Sequence, residues 1–167
     1  MLKKIALLFL ILCFNLTLYS QYIPNYDFYV GTWKYETTNE IFIMKTKKYD
    51  YDFMGDHYYI LVGTFKYVKN GVTLFDNLIS IQTQTVNEAL IRFSNYKIFP
   101  NNQTPNFLKL SFFDPLTGTG NGDSKITIIS TSPAKIQWSL KEPEGIVDMD
   151  YQGYAIPMEM VLTKVKN

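Results

Sequence analysis

From residue 31 onward, apolar and polar residues alternate in short runs set apart by turn signals, and a helical period is nearly absent. Successive side chains of a strand point to opposite faces, so this pattern builds sheet with one buried and one wet face. Trp33, Tyr35 and Thr37 share one face of the first run, and 40–49 follows it after a tight turn at Thr38-Asn39. Residues 57–69 form a long β-branched and aromatic run that ends at Asn70-Gly71, with 72–75 returning. Asn-Gly between two such runs is a strong hairpin signal. Leu108, Leu110 and Phe112 alternate with Lys109 and Ser111, and Ile136, Trp138 and Leu140 alternate with Lys135, Gln137, Ser139 and Lys141. Shorter runs at 126–129 and 158–165 add to the set, while 86–93 fits helix and strand alike. Loops are expected at 100–106, 114–124 and 142–157. The expected fold is all-β, with about nine strands, mostly antiparallel because connections are short. That set closes as a barrel or stacks as a sandwich.

The first twenty residues do not belong to that pattern. Lys3 and Lys4 precede an almost unbroken apolar run at 5–14, and Ser20 stands just before Gln21. This is the layout of a secretory signal peptide cleaved near Ser20-Gln21, which sends the rest to the periplasm, the outer envelope or the medium. The apolar run is too short to span a bilayer, which takes about 20 residues. Residues 21–167 then form one domain, of a size that buries about two-thirds of its unfolded surface without staples. Sixteen basic residues nearly balance fifteen acidic ones, so nothing steers the chain to nucleic acid or to an anionic membrane. Arg92 is the sole arginine, which fits AT-rich codon usage and disfavours phosphate or carboxylate forks. Cys13 is the sole cysteine and lies inside the leader, so the mature chain has no disulfide, thiolate nucleophile or cysteine zinc site. Lipoprotein cleavage before Cys13 wants a small residue ahead of it, and Leu12 stands there. Cys13 therefore reads as an ordinary residue of the apolar run.

Gly31-Thr32-Trp33 opens the first strand. A Gly-x-Trp at that place resembles the start of a lipocalin-type (calycin) or avidin-type barrel. The resemblance implies a single up-and-down antiparallel barrel. In it, Gly31 allows a tight approach and Trp33 plugs one end. A basic residue near the end of the last strand lies over the tryptophan, and Lys164 and Lys166 are placed for that role. The polar residues with which avidins bind biotin are not found, and neither is the late helix of lipocalins. The chain after its leader also resembles a family of small exported bacterial proteins of unknown function. The carrying stretches are 31–35, 39–42, 58–71, 136–138, 156–157 and 162–164, with Gln21 directly after cleavage. That resemblance implies no activity and no cofactor.

Few residues offer chemistry. His57 is the sole histidine, which excludes a multi-histidine metal site and leaves only one candidate general base of that type. Asp50, Asp52 and Asp56 around Gly55 imitate the start of an EF-hand loop. Met54 and Leu61 stand where oxygen ligands belong, so at most a weak calcium site is expected beside the alternative of a solvated acidic hairpin. Glu142, Glu144, Asp148 and Asp150 crowd one loop, the raw material of a glycan-cleaving carboxylate pair or simply a solvated loop. Gly118, Gly120 and Gly122 precede a strand rather than the helix that a phosphate loop needs. The chain holds thirteen Tyr, twelve Phe and two Trp, and Tyr22, Tyr26, Phe28 and Tyr29 precede the first strand, where they close one barrel end or form a sticky arm.

Three functions follow from this reading. One is a lipocalin-like binding protein that holds a small apolar ligand in the barrel. The second is a secreted or envelope-associated interaction protein, with a protein or glycan partner and a barrel filled by its own side chains. The third is a glycan-acting enzyme using the loop carboxylates. An empty or a filled interior separates the first two.

Overall fold

The computed structural model describes residues 25–53, 56–82, 89–94, 105–120, 124–142 and 151–166. Residues 1–24 lie outside the described residues, and with them the leader, Cys13, Gln21 and Tyr22. Nine strands run in chain order: β1 (Gly31–Glu36), β2 (Glu40–Phe53), β3 (Asp56–Lys69), β4 (Val72–Asp76), β5 (Ile91–Ser94), β6 (Phe107–Phe112), β7 (Ser124–Thr131), β8 (Ala134–Ser139) and β9 (Glu159–Lys164). All neighbours are antiparallel. The sheet order is β2-β1-β9-β8-β7-β6-β5-β3-β4, and β2 also pairs with β3. That last pairing closes eight strands into an up-and-down barrel and leaves β4 as an extra strand on the edge of β3.

Register carries the alternation around the ring. Trp33 faces Met44, Met44 faces Phe65, Ile91 faces Phe112, Ile126 faces Trp138, and Trp138 faces Met160. A slip of one residue anywhere would turn a whole strand's apolar set to solvent. These side chains all sit in one buried core. At mid-height four rings meet across the lumen. Phe42 lies 5.3 Å from Phe65 and 5.4 Å from Trp138, and Phe112 lies 5.4 Å from Phe65 and 5.5 Å from Trp138, centroid to centroid. They come from β2, β3, β6 and β8, so most of these contacts span the barrel rather than run along its wall.

Local chemistry explains the turns. Asn70 and Gly71 both take positive φ, 51° and 77°, the backbone of the two-residue turn that twists with its strands. The β2–β3 hairpin is the longest, running on to Phe53 opposite Asp56, past the point where β1 stops at Gly31 opposite Thr46. The stretch around Asp50, Asp52 and Asp56 is the end of this hairpin. A short 3-10 helix, Leu78–Gln82, was not legible in the sequence. Of the ambiguous segment 86–93, residues 91–93 belong to β5, and 86–88 lie outside the described residues.

Phe65 touches Phe42, Phe75 and Phe112 and has no exposed surface. Phe65→Ala is expected to cost about 3–5 kcal/mol. Urea melts of wild type and variant check this through the shift in midpoint.

Candidate functional site

The two barrel ends are built differently. At the lower end, where β1 begins, residues 26–30 turn sharply beneath the lumen, with the Tyr29 amide donating to the Tyr26 carbonyl at 2.9 Å. Tyr26 and Tyr29 are buried, and Phe28 packs against them. The Tyr29 hydroxyl donates to the Pro105 carbonyl at 2.6 Å. Its own carbonyl accepts from Trp33 Nε1 at 2.8 Å and from Thr46 Oγ1 at 2.5 Å. Burial, with Tyr26 nearby, pushes the Tyr29 phenol well above the ordinary tyrosine range.

Lys164 roofs this plug from the last strand. Its Nζ lies 5.3 Å from the Trp33 ring and 5.7 Å from the Phe28 ring, and it donates to the Phe28 carbonyl at 2.6 Å. Burial draws the ammonium below the ordinary lysine range, and the Asp27 carboxylate draws it back up. Gly31 has φ +127°, and a Cβ there would stand 3.2 Å from Lys164 Cε. That position therefore needs glycine for both backbone and space. Lys166 is exposed beyond β9 and takes no part. The polar groups of the lower end are held by the backbone of the 26–30 turn, which makes it a structural plug.

At the upper end, where β1 finishes, residues 151–157 cross the mouth. Asp114 is fully buried and fastens them. One carboxylate oxygen accepts from the Leu116 amide at 2.9 Å and the other from the Ala155 amide at 2.7 Å. Thr119 Oγ1 donates to the Gly153 carbonyl at 2.7 Å. Tyr154 lays its ring 5.8 Å from Phe112, and Ile156 is buried beneath. On the rim, the Tyr67 hydroxyl donates to Glu40 Oε1 at 2.7 Å, and Lys69 approaches the same oxygen at 3.2 Å. The Tyr67 hydrogen bond, then Lys69, holds the Glu40 carboxyl below its ordinary value. Burial, then Glu40, pushes Tyr67 up.

The structure does not gather the chemical candidates. Asp50 is exposed near the end of β2, opposite Tyr59. Asp52 and Asp56 continue the same ribbon, paired with His57 and Phe53, and their side chains lie outside the described residues. Among the described residues no three His, Cys, Asp or Glu side chains cluster for a metal. Glu142 is exposed; Glu144, Asp148 and Asp150 lie outside the described residues. Gly118 and Gly120 sit in the β6–β7 connection, and a strand follows them. Among the described residues no helix is long and apolar enough to cross a membrane.

Sequence reasoning missed two features. One is Asp114, read only as a loop residue. The other is a cleft of about 450 Å³ between β1 and β9, lined by Lys34, Tyr35, Glu36, Val161, Thr163 and Lys164 among others. It opens where β1 and β9 pair only through Trp33 with Lys164 and Lys34 with Thr163.

Trp33→Ala is expected to cost about 3–5 kcal/mol. Lys164→Met keeps the stem, loses the ammonium, and is expected to cost about 1–2 kcal/mol. Thermal melts check both, and an unchanged midpoint for either removes that residue from the plug. Glu40 gives a pH prediction. A carboxyl depressed in the fold stabilises it above the ordinary value of 4.5, and that gain disappears as pH falls through the native value. The stability difference between wild type and Glu40→Gln should therefore be full at neutral pH and shrink in acid. Melts across that range would contradict the assignment if the difference were constant.

A family model matches residues 1–165, nearly the whole chain. No curated protein and no solved structure matches it. The chain therefore belongs to DUF6705, a family of unknown function.

Proposed function

We propose that this is an exported, lipocalin-like barrel that works through its outer surface as an interaction protein, its lumen filled by its own side chains. The observation that carries this reading is the four-ring layer. A carbon chain sandwiched between two ring faces needs them about 7 Å apart, twice an ordinary van der Waals separation. Neighbouring rings in the layer stand 5.3–5.5 Å apart, and all of these pairs but Phe42–Phe65 join strands that are not neighbours in the sheet. No such chain fits between neighbouring rings. The plug below and the strap above support the same reading.

The leader at 1–20 favours a partner met outside the cytosol, a protein or a glycan of the envelope or medium. The loop carboxylates lend the enzyme reading no support among the described residues.

Two measurements test the proposal. Titration of the purified protein with N-phenyl-1-naphthylamine, an apolar fluorescent probe, is expected to give no stoichiometric uptake. Saturable one-to-one binding would restore the small-ligand carrier. N-terminal sequencing of the protein recovered from the cell envelope or medium is expected to begin at Gln21. An intact leader in a cytosolic protein would overturn the export part.

A further inference from the structure

β1 and β9 close the barrel through Trp33 with Lys164 and Lys34 with Thr163 alone, although both strands run on. The Val165 amide donates to the Thr32 carbonyl at 2.8 Å, which fixes the parity of this ladder. Bonded positions alternate along an antiparallel pair, so Lys34 with Thr163 comes next and Glu36 with Val161 after it. No pairing joins Glu36 to Val161. The Leu140 amide on the Met158 carbonyl sets the parity toward β8, so the Glu159 and Val161 main-chain groups turn away from β8 and into the seam. The cleft of about 450 Å³ lies at this point, with Glu36 on one wall and Val161 on the other. There is open space where the ladder stops.

We propose that this seam is a docking edge for an extended acidic segment of a partner protein, which adds as a strand to β9 and sets a carboxylate between Lys34 and Lys135. It rests on the surface reading above and names the partner as a peptide rather than a glycan.

The edge selects a peptide. Its donors and acceptors belong to the main chain and recur at every second residue, Glu159 and Val161, the spacing that another extended backbone matches. β9 offers four residues, 159–162, on this side, whereas β1 offers only Tyr35 and Glu36 before it ends. The Glu159 carboxylate leaves the edge open, since Gln137 Nε2 at 2.6 Å and the Ser139 hydroxyl hold it over β8.

The charge comes from the row beside the cleft. Thr163 stands directly opposite Lys135 on one side and Lys34 on the other. All three face outward, because Trp33, Ile136 and Leu162 take the buried face. Neighbouring strands lie about 4.8 Å apart, so the two lysine stems flank the Thr163 hydroxyl. Lys34 is held by Glu36 at 2.6 Å, whereas Lys135 meets no carboxylate among the described residues. A carboxylate arriving over Thr163 is met by one uncompensated ammonium and competes with Glu36 for the other.

The test titrates the purified, nitrogen-15-labelled protein with acetylated Thr-Val-Asp-Val-Thr amide and with the counterpart that has Asn for Asp. Recognition through the main chain tolerates such a generic sequence. The expected result is a saturable shift of the Glu159 and Val161 amides, with the Asn peptide roughly two- to fivefold weaker. Lys135→Glu should weaken the Asp peptide, and Glu36→Gln, which releases Lys34, should strengthen it. Val161→Pro removes a donor that faces the seam and none that faces β8, so it should abolish binding while the thermal midpoint stays near that of wild type. Lys135→Glu, at an outward position, keeps the test open should that variant fail to fold. Glu159 and Val161 amides that stay still would overturn the docking edge, as would a folded Val161→Pro variant that binds like wild type. Equal affinity for the two peptides would overturn its acidic preference. Chitotriose serves as the glycan control, and a seam that responds to it and to neither peptide would overturn the choice of partner. Each of these results leaves the surface reading standing, which falls instead to saturable uptake of N-phenyl-1-naphthylamine.

Discussion

The contact of four aromatic rings across the lumen is the constraint on which the rest of this barrel depends. Phe42, Phe65, Phe112 and Trp138 come from β2, β3, β6 and β8, so each ring ties its strand to strands it does not hydrogen-bond. Backbone ladders alone fix neighbours; this layer fixes opposite walls. At this level the rings are in mutual contact and fully or nearly fully buried.

The ends complete the closure by different physics. Below, one backbone carbonyl, that of Tyr29, collects donors from Trp33 and Thr46, while Lys164 lies over the Phe28 and Trp33 rings. The turn at 26–30 directly precedes β1, and Lys164 comes to it from the last strand. Above, a buried carboxylate holds a distant segment: Asp114 reaches an amide 41 residues away. A charge buried that deeply is tolerated because each of its oxygens accepts an N–H.

How much of this was legible depends on the range of the interaction. The Asn70-Gly71 turn was readable because its two residues tolerate positive φ. The alternation at Leu108, Leu110 and Phe112 and at Ile136 and Trp138 was readable because burial follows the pleat residue by residue. The Gly31 and Trp33 pair stood out through a family resemblance, and the closing strand offered Lys164 and Lys166 without a way to choose; only the three-dimensional path of the chain selects Lys164. Asp114 gave no signal at all. In sequence it is one acidic residue beside Pro115 in a polar loop, indistinguishable from a solvated one. At Asp50, Asp52 and Asp56 the sequence offered an acidic hairpin beside a weak calcium loop, and cross-strand pairing of β2 with β3 runs through these positions. Trp138 read correctly as core.

The most direct test of a filled barrel is a high-resolution crystal structure of the protein purified from its native source, with the electron density of the lumen examined at the level of Phe42, Phe65, Phe112 and Trp138. The account predicts ring centroids in mutual contact at that level and no elongated density passing between them. Continuous density of a long apolar molecule threading the barrel, with the four rings pushed apart, would contradict it.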